Sequence, residues 1–335
     1  MSARRDINID LIRALSCIGV LGLHCFQEHL MSINLIIYRL CGFAIPMFFV
    51  TSGYFLVLTK HDIKNCLRRI SKVCVIIILW NLLFWFILQA KNLLATQNIS
   101  FIELPTSILK GLIQQGRFWH FWYLAALMLV YAVLPFINRF MMKSQKRRLL
   151  GLWLIFLTIG VLLQLLSEFA YHKSVQRLVV QPLRLWTWLQ YFLLGGVLRI
   201  YRDKWNGKRK ESLIAMIGLT VIAQLWQMLM GNQIHVLYGE AFYDSITTVL
   251  WVSALFIFVM NLNITTGLTR FVEVVAPCTM GIYIIHPLII RYMKRVLFPD
   301  TFMKSLALFI ILTGVSFGIT YVMKRIPGLK KLVSL

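Results

Sequence analysis

Residues 6–26 read "DINIDLIRALSCIGVLGLHCF". The stretch has the length of a bilayer crossing, roughly 20 residues, yet it carries Asp10, Arg13 and His24. Comparable apolar stretches recur at about 7–26, 36–58, 73–90, 118–139, 149–167, 184–201, 212–230, 244–262, 273–291 and 304–323. That recurrence decides the fold class, which is all-α: a polytopic transmembrane helical bundle of about ten spans. Of the 335 residues 59% are hydrophobic and 14% charged, whereas a soluble domain carries about a quarter charged.

A net charge of +23 would point a soluble chain towards nucleic acid. Here the basic residues lie between the spans, 23 in the segments on one side and 10 on the other, with Arg13 and Arg39 inside spans. An excess of Lys and Arg marks the cytoplasmic side, so the reading is N-in and C-in, with no nucleic-acid partner. One loop breaks the pattern: residues 291–304 fall on the outer side and hold Arg291, Lys294, Arg295 and Lys304. Residues 102–115, "IELPTSILKGLIQQ", are too broken to span and read as an interfacial segment. Arg4 and Arg5 ahead of an apolar run mimic a signal peptide, but Asp10 and Arg13 interrupt that run, which reads as a retained span. The six cysteines lack zinc-ligand spacing and read as small buried hydrophobes. With no evident internal repeat, residues 1–335 read as a single integral membrane domain with no appended soluble domain.

Helical geometry orders the first span. Arg13 and His24 are eleven residues apart, close to three turns, and so share a face about 16 Å apart along the axis. Asp10 is one turn before Arg13 and can pair with it. Two readings are open. Arg13 snorkels to the headgroups with Asp10 neutralising it and His24 at the opposite interface, or the three line a polar cavity inside the bundle. Asp10 is about 21 Å from His24, so it cannot be the carboxylate that orients this imidazole.

Further motifs follow in order. Residues 42–58 read "GFAIPMFFVTSGYFLVL", 68–72 "RRISK", 118–135 "FWHFWYLAALMLVYAVLP" and 281–287 "GIYIIHP". Pro46 and the Ser52–Gly53 pair can break a helix, and broken helices at membrane depth border cavities. The cluster Trp119 to Tyr123 reads most simply as an interfacial aromatic belt. The acidic pair Glu240 and Asp244 belongs to an outer loop, where it binds a glycan or nothing.

This order of motifs resembles the acyltransferase-3 family of integral membrane O-acyltransferases. The resemblance rests on Asp10-Leu11-x-Arg13 with His24 eleven residues on, and on Pro46-x-Phe48-Phe49-x-x-Ser52-Gly53-Tyr54. It continues through the aromatic entry from Trp119 to the Leu134-Pro135 end, and Tyr283-x-x-His286-Pro287. It implies transfer of an acyl group, most simply acetyl, from acyl-CoA to a hydroxyl of a cell-envelope glycan or lipid-linked saccharide in the cytoplasmic (inner) membrane. Acetyl-CoA or another acyl-CoA is then a co-substrate, with no permanently bound cofactor and no metal. His24 is the general base or acyl-handling residue, and Arg13 joins it in the site. Arg69, Lys72 and Arg68 hold CoA phosphates. The family's second arginine is here Lys72, which keeps the charge but loses the bidentate fork. Ser52, Tyr54, His120, Trp122 and Tyr123 contact substrate, while Asp10 and His286 are structural or charge-balancing. The alternative is a transporter or exporter of a glycan or polar solute, its path lined by Arg13 and His24. The lack of an obvious inverted repeat counts against it.

Overall fold

Asp6 starts the first helix: its carboxylate accepts from the backbone N–H groups of Asn8 and Ile9, which a helix start leaves unpaired. The computed structural model describes residues 6–27, 33–95, 101–142 and 144–334. Arg4, Arg5 and Lys143, which enter the charge count, lie outside the described residues.

Eight helices are long and apolar enough to cross a membrane by length and composition: α1 (Ile7–Cys25), α2 (Ile33–Leu56), α3 (Ile63–Leu94), α4 (Trp119–Met141), α5 (Gln145–Ala170), α6 (Arg209–Gln233), α7 (Thr266–Leu297) and α8 (Phe302–Arg325). Each falls on one of the stretches read from the sequence. Two further helices, α9 (Leu185–Ile200) and α10 (Ile246–Met260), occupy the remaining two. At 1.5 Å per residue they are about 24 and 22 Å long, short of the roughly 30 Å hydrocarbon core. Residues 187–198 of α9 are all buried, so other helices rather than lipid set its length. The broken segment forms α11 (Glu103–Leu112). No β-strand occurs among the described residues.

Helices α1, α2, α4, α7, α9 and α10 form the interior, and α3, α5, α6 and α8 turn apolar faces outwards. The tightest contact joins α2 to α9 through two glycines. A Cβ at Gly53 would lie 1.7 Å from the Phe192 carbonyl oxygen, and one at Gly195 would lie 2.1 Å from that of Val50. Small residues let membrane helices approach this closely. The Ser52–Gly53 pair is therefore a packing point inside an unbroken helical run, Ala44–Leu56, rather than a break. Pro46 sits in the first turn of that run, where its missing N–H is not needed.

Chain direction fixes which residues share an end of the bundle. The Asn8 amide donates to the Val259 and Leu262 carbonyls at 2.8 and 2.9 Å, tying the start of α1 to the end of α10. At the far end of α1, Phe26 stacks with Phe302, 6.3 Å between ring centres. The basic segment between α7 and α8 thus lies at the His24 end, where the loop order requires it.

Candidate active site

His24 occupies the last turn of α1, between two cavities. The larger, about 530 Å³, is lined by His24, Gln27, Trp119, Arg177, Arg184 and Glu240 among others. The smaller, about 30 Å³, is lined by His24, Trp119, His120, Trp122, Tyr123, Glu240, Tyr283 and His286 with Val20, Ile45 and Phe48. Trp119 packs edge-on against the His24 ring at 4.9 Å, and His286 stacks parallel to it at 5.3 Å. The Gln27 side chain, one turn on, is within hydrogen-bonding reach of His24.

The aromatic segment 119–123 is not a belt facing lipid. His120 and Trp122 are buried, Trp122 packs on Trp188 at 5.2 Å, and Tyr123 meets Phe49 and Tyr283 at 5.2 and 5.5 Å. The turn ahead of this segment passes through Gly116 at φ 72°, a conformation glycine adopts without steric cost. Among the described residues, no group of three or more His, Cys, Asp or Glu side chains is placed to hold a metal ion.

A third cavity, about 490 Å³, lies towards the other end of the bundle, lined by Lys60, His61, Asn65, Arg68, Arg69, Lys72, Val73 and Tyr131. Arg68, Arg69 and Lys72 therefore come together around one space. Burial and the neighbouring Arg69 hold the His61 imidazole below its usual range, with Asp62 opposing. Tyr131, on α4, is within electrostatic range of both Arg69 and Arg13, and Tyr123 is within range of Arg13. Tyr123 and Tyr131 are eight residues apart on α4, about 12 Å along its axis. Tyr131 lines the basic cavity and Tyr123 the histidine pocket, with Arg13 close enough to influence both. Arg13 meets Asp10 at 3.7 Å, and its guanidinium sits over the Phe55 ring at 5.4 Å.

Other expected residues lie elsewhere. Tyr54 is buried against Phe256 at 5.4 Å, with the Arg199 guanidinium over its ring at 5.9 Å. Ser52 is half-buried on the same helix. Asp244 accepts from Thr187 at 2.7 Å and Trp186 at 3.1 Å, a structural clamp. Glu240 separates from it and borders both cavities at His24. Burial pushes the Glu240 carboxyl above the usual carboxylate range, against the opposing pull of Arg184, Arg177 and Gln181. Sequence reasoning missed Gln27 and Tyr131. The recoverable signal was periodicity: Tyr131 lies eight residues after Tyr123, within one broad helical stripe.

Fold and site together define a polytopic helical membrane protein with a histidine-lined pocket enclosed among its interior helices. A family model for the acyltransferase domain matches residues 6–325, so the chain belongs to that acyltransferase-3 family and is a membrane acyltransferase. No curated protein and no solved structure matches it.

Proposed function

We propose that this protein moves an acyl group, most simply acetyl, from acyl-CoA to a hydroxyl of a cell-envelope glycan or lipid-linked saccharide at the cytoplasmic (inner) membrane. The observation that carries the reading is the placement of His24 on two cavities at one end of α1, with the Arg68, Arg69 and Lys72 cavity towards the other. The cations hold the CoA phosphates, and the pantetheine arm extends past Arg13 and Tyr131 to the histidine pocket. The larger cavity at His24 receives the acceptor. His24 takes the hydroxyl proton as the oxygen attacks the thioester carbonyl. The C–S bond breaks, and the thiolate recovers the proton from the imidazolium. Arg13, about 16 Å from His24 along the helix, balances charge on the donor rather than on the developing oxyanion.

The test uses membranes carrying wild-type or His24→Ala protein at matched levels, with acetyl-CoA labelled in the acetyl group and base-labile ester followed on envelope glycans. Label that depends on His24 supports the reading. Equal label in both removes His24 from the chemistry. Net flux of unmodified glycan or solute without label would favour a transporter.

A further inference from the structure

The Tyr283-x-x-His286-Pro287 motif builds a second histidine beside the first, and its hydrogen bonds assign that histidine a state. His286 is fully buried on α7. Its Nδ1 lies 3.0 Å from the Ile282 carbonyl oxygen. A carbonyl only accepts, so Nδ1 carries the hydrogen, and in the neutral ring Nε2 keeps its lone pair. Pro287 reinforces this arrangement. It has no N–H for the Tyr283 carbonyl four residues back, and that freed carbonyl is within reach of the same ring. The Tyr283 hydroxyl donates to the His120 carbonyl, fixing this turn of α7 against the 119–123 segment.

Nε2 of His286 has no hydrogen-bond partner among the described residues. A buried acceptor left unpaired is costly, and His286 lines the cavity of about 30 Å³ that it shares with His24 and Tyr123. That volume holds one water or one hydroxyl group. The His24 and His286 rings are 18° from parallel, and stacked rings do not hydrogen-bond edge to edge. A group in the cavity is needed to join them.

We propose that Nε2 of His286 accepts a hydrogen bond from the attacking acceptor hydroxyl, holding its oxygen towards the thioester while His24 takes the proton. His286 is thus a substrate-positioning residue whose tautomer is locked by the helix backbone, and the motif exists to present a bare Nε2 to the pocket. The inference rests on the acyl-transfer reading of His24. No proton leaves through His286, so the transfer balances as written above.

Two substitutions separate positioning from support. In His286→Asn the amide nitrogen can replace Nδ1 as donor to Ile282, but nothing replaces Nε2. In His286→Gln the longer side chain can bring its oxygen to the Nε2 position. The expected result is a folded His286→Asn protein whose transfer rate falls on the order of 10²-fold with KM for acyl-CoA unchanged, and a partial recovery in His286→Gln. A merely structural histidine gives the opposite order, with Asn the better substitute, and that result would overturn the proposal. So would wild-type activity in His286→Asn. Should neither variant fold, the ¹⁵N resonances of the wild-type histidines decide. The His286 signals must report protonated Nδ1 and unprotonated Nε2, and the reverse tautomer sinks the proposal. Wild-type and His24→Ala membranes run alongside. Loss of CoA-dependent label in the wild type, or its survival in His24→Ala, strikes the functional reading. A His24-dependent enzyme indifferent to His286→Asn strikes only this inference.

Discussion

At the start of α1, Arg13 is satisfied by its own helix: Asp10 stands one turn back at 3.7 Å, and the Arg13 side chain keeps 40% of its exposure. At the end of the same helix, His24 is held by rings from segments 95 and 262 residues further along the chain, Trp119 at 4.9 Å and His286 at 5.3 Å. The Asp10–Arg13 pair needs only helical geometry, while the second arrangement exists only after α4 and α7 have packed against α1. An intramembrane charge that a neighbour neutralises can serve as an anchor or a counter-ion. A half-buried imidazole shared by two cavities is the group to which we assign the chemistry.

The comparison breaks most sharply at His24. His24→Ala is expected to lower acyl transfer by about 10²–10⁴-fold, the usual worth of a positioned general base, with little change in thermal unfolding. An equal loss from Asp10→Asn would erase the distinction between the two ends. Next in size is the basic cavity. Replacing both Arg69 and Lys72 with Ala should raise KM for acyl-CoA about tenfold, ~1.4 kcal/mol, and leave the maximal rate nearly intact. A fall in rate without a change in KM would move these residues out of donor binding.

Asp10→Asn sharpens the other end. An i,i+3 ion pair with one exposed partner contributes ~0.5 kcal/mol or less, so the unfolding midpoint in detergent should shift only slightly. The smallest effect concerns pH. Burial raises the Glu240 carboxyl above its usual range, so the folded protein binds more protons there than the unfolded chain. Stability from this group is therefore present at low pH and falls as pH rises from the ordinary glutamate range through the raised value. Glu240→Gln should flatten that slope. Unfolding midpoints measured across the window, unchanged in slope, would show that Glu240 is solvated instead.

Legibility from sequence followed the range of the interaction. The limits of α1, the Asp10–Arg13 pair and the shared face of Arg13 and His24 were readable because hydropathy and a 3.6-residue period act over a few turns. The stretches at 184–201 and 244–262 were also found, but not their shortness. A helix enclosed by other helices need not match the bilayer, and hydropathy does not distinguish protein surroundings from lipid. The same ambiguity made residues 119–123 read as a belt, because aromatic rings suit both an interface and a packed interior. Ser52–Gly53 read as a pair that can break a helix, and only the close approach of Phe192 shows the pair to be a packing point.

By itself, the sequence determined an all-helical membrane chain, the placement of its apolar segments, and the motifs that resemble an acyltransferase. Those properties follow from side-chain polarity and local periodicity. Only the tertiary structure decided that His24 meets His286 and Trp119, that Arg68, Arg69 and Lys72 surround one cavity, and that Glu240 rather than Asp244 borders the pocket. Those relations depend on how helices distant in sequence pack together, and no spacing along the chain encodes them.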